Sequence, residues 1–241
     1  MAVYLCHEQP DLVEHDALVV DARPGRVRLD RSALHPGGGG QVSDEGWIEH
    51  DSGVVAITGI EPTESSDDLV WHVLGDTDLE LTGTVVVRVD AQRRARVAAL
   101  HTDSHILNAL VFERFPGTLV TGAQINADGT GRMDFDLSQI DNEVLRGLDA
   151  GVNDVISRSL DVRSVYVAAA EADSTSGLVR SLSVAPPPTP DGQLRVIDID
   201  GVDRQACGGT HLSNTAQSAP FRITKVENKG KRNRRIRFEL V

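Results

Sequence analysis

Two short motifs carry metal-binding residue types at spacings that a folded chain can bring together. HTDSH places His101 and His105 four residues apart within a run of helix formers. Such positions lie one above the other on a helix face, so both imidazoles can point at one atom. CGGTH places Cys207 and His211 just after the apolar run LRVIDID. The two glycines between them allow the tight turn that thiolate and imidazole need in order to converge. One thiolate and three imidazoles make up the soft donor set that tetrahedral zinc prefers. Each pair alone is weak evidence, because a buried histidine or cysteine more often packs than ligates. Together the pairs use three of the eight histidines and one of the two cysteines. Their long separation fits a site assembled from distant elements better than a compact zinc finger.

The elements that must position these residues can be read from pattern. Over residues 1–89, the segments LVVDAR, RVRLDR, GWIEH, VVAITGI, LVWHVLG and TGTVVVRV are short, rich in valine and isoleucine, and punctuated by glycine, aspartate or proline. That spacing predicts a small barrel or sandwich. From Asp90 to about Arg114 the chain changes to a helical pattern, with Asp90 as N-cap and Pro116 and Gly117 as the stop. A second helix is expected from Ser138, with Asp141 as its capping-box partner and Ile140, Val144, Leu148, Val152 and Val155 as its buried stripe. Strands are expected at about 162–168 and 194–199, followed by a hairpin pairing 221–228 with 233–240 through Gly230. The change of pattern divides the chain into 1–89 and 90–241, the second part being α+β.

Composition narrows the function class. No apolar run approaches the roughly 18–20 residues of a membrane span, and the N-terminus lacks the features of a signal peptide. Two cysteines are too few for a disulfide framework, so a cytosolic setting is expected. The formal net charge of −12 argues against a general nucleic-acid coat. A local exception stands out, because Lys225, Lys229, Lys231, Arg232, Arg234, Arg235 and Arg237 fall in one C-terminal stretch. One basic edge on an acidic body can orient a nucleic acid, although a charge run is usually a solvated face. His7, His15, His35, His50 and His72 lack a partner at ligand spacing, and structural or surface roles are expected for them. Cys6 is expected to be incidental.

HTDSHIL and CGGTH resemble the two metal motifs of the alanyl-tRNA synthetase editing domain, which freestanding AlaX-type alanyl-tRNA editing proteins also carry. HPGGGGQVSDEG at 35–46 is similar to the glycine-rich motif of the longer AlaX proteins. GRMDFDL, VIDIDGVDRQACGGTH and KVENKGKRNRRIRFEL also look like family segments, in family order. The resemblance implies an α+β fold, with a small N-terminal β-barrel-like domain followed by a two-layer α/β tRNA-editing domain related to that of threonyl-tRNA synthetase. It implies zinc as cofactor, held by His101, His105, Cys207 and His211, and misacylated tRNA as partner. The implied reaction is trans hydrolysis of the ester in Ser-tRNA(Ala), with Gly-tRNA(Ala) as a second substrate.

On the same basis Gly39, Gly40 and Gln41 are candidates to line the substrate pocket, as against an ordinary loop. Thr102 and Thr210 can offer hydroxyls to substrate or cap local backbone, with Thr210 and Gln124 the catalytic candidates. Asp203 either supports a ligand or closes a turn, and Asp103 is expected to point away from the histidine pair. Lys229, Lys231, Arg232, Arg234 and Arg235 are the candidates for tRNA phosphates. Three alternatives stay open: a deacylase for misacylated tRNA(Thr), a non-catalytic zinc-stabilised tRNA-binding module, and a metal hydrolase of a small ester or amide. The oligomeric state is left open, a monomer being sufficient.

Overall fold

The computed structural model describes residues 3–61, 69–138, 141–170, 177–182, 189, 191–230 and 232–241. Its contacts divide the chain into two units. One comprises Met1–Gly38 with Val42–Ala95, the other Gly39–Gln41 with Arg96–Val241.

The first unit contains β1 (Val3–Tyr4), α1 (Leu5–Glu8), β2 (Glu14–Arg23), β3 (Arg26–Leu29), β4 (Arg31–Ser32), β5 (Gly46–His50), β6 (Gly53–Glu61), β7 (Trp71–Leu74) and β8 (Thr84–Val89). Six strands close into a barrel in the order β2-β3-β7-β6-β5-β8. Alternation explains the closure: Val85, Val87 and Val89 point inward from β8 while Thr84 and Arg88 face out. They meet Ala17, Val27, Leu29, Ile48, Val55, Ile57 and Leu74 from the other strands. Closing the sheet on itself buries this face and leaves no barrel edge unpaired. The stem of the glycine-rich segment is held by a buried ion pair. Arg94 donates to both carboxylate oxygens of Asp44 and to the Ala33 carbonyl, and the His35 amide donates to Asp44 Oδ2 at 2.6 Å.

The second unit contains most of α2 (Ala91–Arg114), then β9 (Val120–Ile125), β10 (Thr130–Asp136), α3 (Asn142–Arg146), α4 (Leu148–Ser157), β11 (Val162–Ala168), β12 (Gln193–Ile199), β13 (Asp203–Ala206), β14 (Phe221–Asn228) and β15 (Asn233–Leu240). The strands form one antiparallel sheet in the order β14-β15-β10-β9 and another in the order β11-β12-β13. The start of α2 is capped as its sequence requires, with Asp90 Oδ1 accepting from the Arg93 amide at 3.0 Å. Every residue from Val97 to Ala109 is buried, so this middle part of α2 has no solvent face. Its polar residues therefore need partners inside the protein.

One expected element is corrected. No helix starts at Ser138. Asp141 is itself the N-cap, accepting from the Glu143 amide, and the helical stretch divides at Gly147 into α3 and α4. Leu145, Val152, Val155 and Ile156 are buried, whereas Val144 is exposed. The division at Gly147 shifts the phase, so the stripe read as one continuous helix does not hold. Ile140 lies outside the described residues. The C-terminal hairpin has the expected pairing, from Phe221↔Leu240 to Asn228↔Arg234.

Candidate metal centre and nucleic-acid interface

The turn of α2 at 101–105 and the turn after β13 bring together His101, His105, Cys207 and His211. All four are buried, and their ligand atoms lie within 4.8 Å of one another. Cys207 Sγ is 3.5 Å from His101 Nε2 and 3.3 Å from His211 Nε2. A tetrahedron with metal bonds of about 2.0–2.3 Å has edges of about 3.5 Å, so these separations fit a single ion. No other such cluster is found among the described residues.

The outer nitrogens fix the direction of each ring. His101 Nδ1 donates to Gln41 Oε1 at 2.7 Å, and His105 Nδ1 to Asp203 Oδ2 at 3.0 Å. His211 Nδ1 lies 3.2 Å from Thr102 Oγ1, whose own proton goes to the Ala98 carbonyl. The Thr102 oxygen must therefore accept from the ring. With all three Nδ1 atoms donating outward, Nε2 is the nitrogen each ring turns toward the thiol. Once Nε2 gives up any proton it carries, this is the orientation a metal requires. The donor set and its orientation fit a metal ion and are compatible with zinc.

Electrostatics agree. Burial alone would raise the Cys207 thiol, but the neighbouring imidazoles of His101, His211 and His105 pull it well below its ordinary value. Burial alone would lower His105. The Cys207 thiolate and the Asp203 carboxylate outweigh it and push His105 up to about 10. Burial and the charge on His101 hold His211 well below its ordinary value. A cation entering the cluster would thus meet a ready thiolate and displace a proton, as ligand chemistry demands.

The CGGTH turn is shaped by its glycines and by one arginine. A Cβ at Gly209 would overlap the His101 ring and come within 2.6 Å of Gln41 Oε1. Arg195, buried on β12, donates from Nη1 to the carbonyls of Cys207 and Gly209, both at 2.9 Å. Sequence reading passed over Arg195, although a single basic residue among the apolar positions of LRVIDID was a usable signal. It also passed over the bond from Asn108 to Gln205 (2.6 Å), which continues the polar seam of α2.

The glycine-rich candidates separate by contact. Gly40 has a φ of +91° and a Cβ there would sit 2.5 Å from the Ala123 carbonyl oxygen. Its own carbonyl accepts from the Ile125 amide at 2.7 Å, docking this segment on β9. Gly39 is exposed. Gln41 is buried, and its orientation is fixed by the Thr210 amide, which donates to Oε1 at 3.0 Å. Gln41 Nε2 therefore donates to Thr210 Oγ1 at 3.0 Å. The two threonines differ. The Thr102 hydroxyl is saturated, since it also accepts from the Leu212 amide at 3.1 Å, and has no capacity left for substrate. The Thr210 hydroxyl accepts from Gln41, and its proton has no acceptor among the described residues.

Other candidates stand apart from the cluster. Gln124 is exposed on β9, where it donates to Asn126 and accepts from Arg132 Nε at 3.2 Å. It belongs to the opposite strand face from buried Ile125, and the structure does not bring it to the cluster. Asp103 points away from the histidines and accepts from Ser218 at 2.7 Å. Burial pushes this carboxyl up to about 7 against the effect of that bond.

The basic hairpin is largely neutralised internally. Arg235 makes a two-pronged pair with Asp134 at 2.6 and 2.7 Å, and Arg232 reaches Asp136 at 3.1 Å. Arg237 and Lys225 share Glu227, holding its carboxyl down at about 2. Arg234 is buried, because its side chain shares the inward face with Ile236 and Phe238. The reading of Arg234 as a phosphate contact is corrected on that ground. Lys229 and Arg232 are exposed near the turn, and Lys231 lies outside the described residues.

Residues 194–237 match the family described as threonyl and alanyl tRNA synthetase second additional domain. The chain is 30% identical to alanyl-tRNA editing protein AlaX-M of Saccharolobus solfataricus, over 93% of each protein. It is 31% identical to AlaX-M of Methanosarcina mazei, over 95% of this chain and 93% of the relative. It is also 33% identical to alanine–tRNA ligase of Korarchaeum cryptofilum, over 92% of this chain but 24% of that enzyme. Matches of this length must include the cluster and the glycine-rich segment, and the chain belongs to the AlaX-M family of alanyl-tRNA editing proteins.

Proposed function

We propose that the chain is a zinc-dependent aminoacyl-tRNA deacylase acting in trans in the cytoplasm. It would hydrolyse the ester of Ser-tRNA(Ala), and more slowly of Gly-tRNA(Ala), to free tRNA and amino acid. The observation that carries this reading is the convergence of three imidazoles and one cysteine sulfur, each ring braced from behind. The ligands are His101, His105, Cys207 and His211. The chemistry zinc supplies when bound is a fixed positive charge that polarises an ester carbonyl or an attacking water. A division near residue 90 into a barrel domain and an editing domain belongs to the same proposal.

The chain's own residues would supply selectivity. Serine is larger than alanine, so size alone cannot protect the correct product, and the serine hydroxyl must be rewarded with a hydrogen bond. Thr210 is the group we assign to this task, because Gln41 holds its oxygen and leaves its proton uncommitted. Losing one such bond costs about 1–3 kcal/mol, enough to favour serine over alanine by one to two orders of magnitude. Gly40 and Gln41 serve by holding Thr210 and His101, with Gly39 forming the exposed rim. Lys229 and Arg232 are the proposed phosphate contacts, aided by Lys231, while Arg235 acts mainly through Asp134.

The test is deacylation of seryl-, glycyl- and alanyl-tRNA(Ala), with seryl-tRNA(Thr) as comparison, by the zinc-loaded protein and by Cys207→Ala. Loss of serine from tRNA(Ala) with alanine spared, abolished in the variant, is the expected result. Preference for seryl-tRNA(Thr) would move the substrate to the threonine system. Absence of turnover on all four would overturn the enzymatic reading.

A further inference from the structure

Of the three histidines, His105 alone leans on an anion. His101 and His211 donate to neutral oxygens of Gln41 and Thr102, whereas His105 donates to the carboxylate of Asp203. That carboxylate is fully buried. Its second oxygen, Oδ1, accepts from Arg180 Nη1 at 2.8 Å. Asp203 thus faces one cation and one ligand ring. A carboxylate removed from water is stable only when both oxygens are satisfied and its charge is met.

Arg180 is itself held from several sides. Its Nε donates to the Gly177 carbonyl at 2.8 Å, and its guanidinium carbon sits 4.4 Å from the Phe112 ring centroid on α2. The segment that carries it is stitched to two strands. The Ala206 amide donates to Leu178, and the Val120 amide to Arg180, both at 2.8 Å, while the Leu182 amide returns to Val120 at 2.9 Å. A connecting segment therefore delivers one guanidinium to a fixed point behind the cluster.

We propose that Arg180 is a positioning residue for the metal site, acting through Asp203 to fix the ring of His105. The inference rests on the reading of the four-residue cluster as a zinc centre. With Arg180 in place, Asp203 keeps one oxygen for the ring and one for the guanidinium, so the plane of the carboxylate, and with it the ring, has one orientation. Without Arg180, Oδ1 is orphaned and the carboxylate turns to find another donor, carrying His105 off the shared point. Partners behind metal-bound histidines typically contribute about 10–100-fold in metal affinity.

The experiment is zinc affinity of the full chain by chelator competition, with the absorption spectrum of the cobalt-substituted protein as a second readout and circular dichroism to verify folding. Arg180→Gln is expected to bind zinc at least about 10-fold more weakly and to show an altered cobalt spectrum. Arg180→Lys, which keeps the charge but not the planar fork, should recover part of both. Asp203→Asn should weaken binding as well. Because Arg180 acts through Asp203, adding Arg180→Gln to it should cost little more. Parent-like affinity and spectrum in Arg180→Gln would overturn the proposal, as would losses that add in full in the double variant. If Arg180→Gln does not fold, a Lys variant with parent-like affinity and spectrum overturns it equally. A parent protein that binds no zinc would overturn the metal reading along with it. Zinc binding without deacylation would overturn only the activity.

Discussion

Both units bury histidines, for opposite purposes. In the barrel, His72 is fully enclosed and its neighbours use both ring nitrogens. Nδ1 faces the Val27 carbonyl at 3.4 Å, and Nε2 faces Ser32 Oγ at 3.0 Å. Ser32 Oγ also accepts from the Leu34 amide at 3.1 Å. Such a ring is a closed polar link between strands. In the second unit, His101, His105 and His211 are also buried, but each is braced at Nδ1 and turns Nε2 toward a common point with Cys207 Sγ. Burial therefore does not distinguish a ligand from a structural histidine. Convergence of several ring nitrogens on one thiol does.

The largest test of this contrast lies in the backbone. Gly209→Ala puts a methyl into the His101 ring. It should weaken zinc binding by at least about 100-fold, the upper end of the range for disturbed ligand surroundings. Both tryptophans of the chain, Trp47 and Trp71, lie in the barrel, so their fluorescence should report an unchanged barrel in this variant. Zinc binding that survives the methyl would mean that the close approach of turn and ring is not required.

Acid provides the next test. Burial, opposed by the bond to Val27 and aided by the charge of His15, lowers His72 from 6.5 to about 4. The unfolded chain then takes up the proton first, so stability should rise with pH between about 4 and 6.5 and be complete above that window. The full effect is about 3 kcal/mol. Tryptophan-detected unfolding across this range should show it, and His72→Gln should flatten it. An acid limb of equal size in the variant would assign the sensitivity elsewhere.

A matched pair of hydroxyl deletions sharpens the comparison at smaller scale. Ser32→Ala leaves a buried ring nitrogen and the Leu34 amide unpaired, and should destabilise the barrel by about 1–3 kcal/mol without changing zinc affinity. Thr102→Val removes the acceptor for His211 Nδ1 and should weaken zinc by about 10-fold. If the two substitutions produced the same profile, the distinction between link and ligand would fail.

Spacing made the four donors legible, since residues four apart on α2 cannot avoid sharing a face and the two glycines between Cys207 and His211 allow a tight turn. Their supports were harder to see. Gln41 stood out in the sequence through its glycine-rich setting, but its amide is turned by the Thr210 backbone, a contact across 169 positions. Arg180 comes from a connecting segment with no periodic pattern, and nothing in its neighbours marks it. Strand parity was available yet not used. Arg234 shares parity with Ile236 and Phe238 and so points inward, and Gln124 has the opposite parity to buried Ile125. The barrel strands were readable because alternation and turn residues act locally. Gly147, which divides α3 from α4, was lost inside an apparently continuous helical stripe.

The three residues Gly39–Gln41 group with the second unit although barrel sequence flanks them on both sides. The two units are thus interleaved along the polypeptide, and no single cut separates them. A fragment beginning between Val42 and Leu100 keeps all four donors but strips His101 Nδ1 of its acceptor. Grafting this centre onto another scaffold accordingly means transplanting a discontinuous set: a helix, a turn, and one amide borrowed from sixty positions upstream.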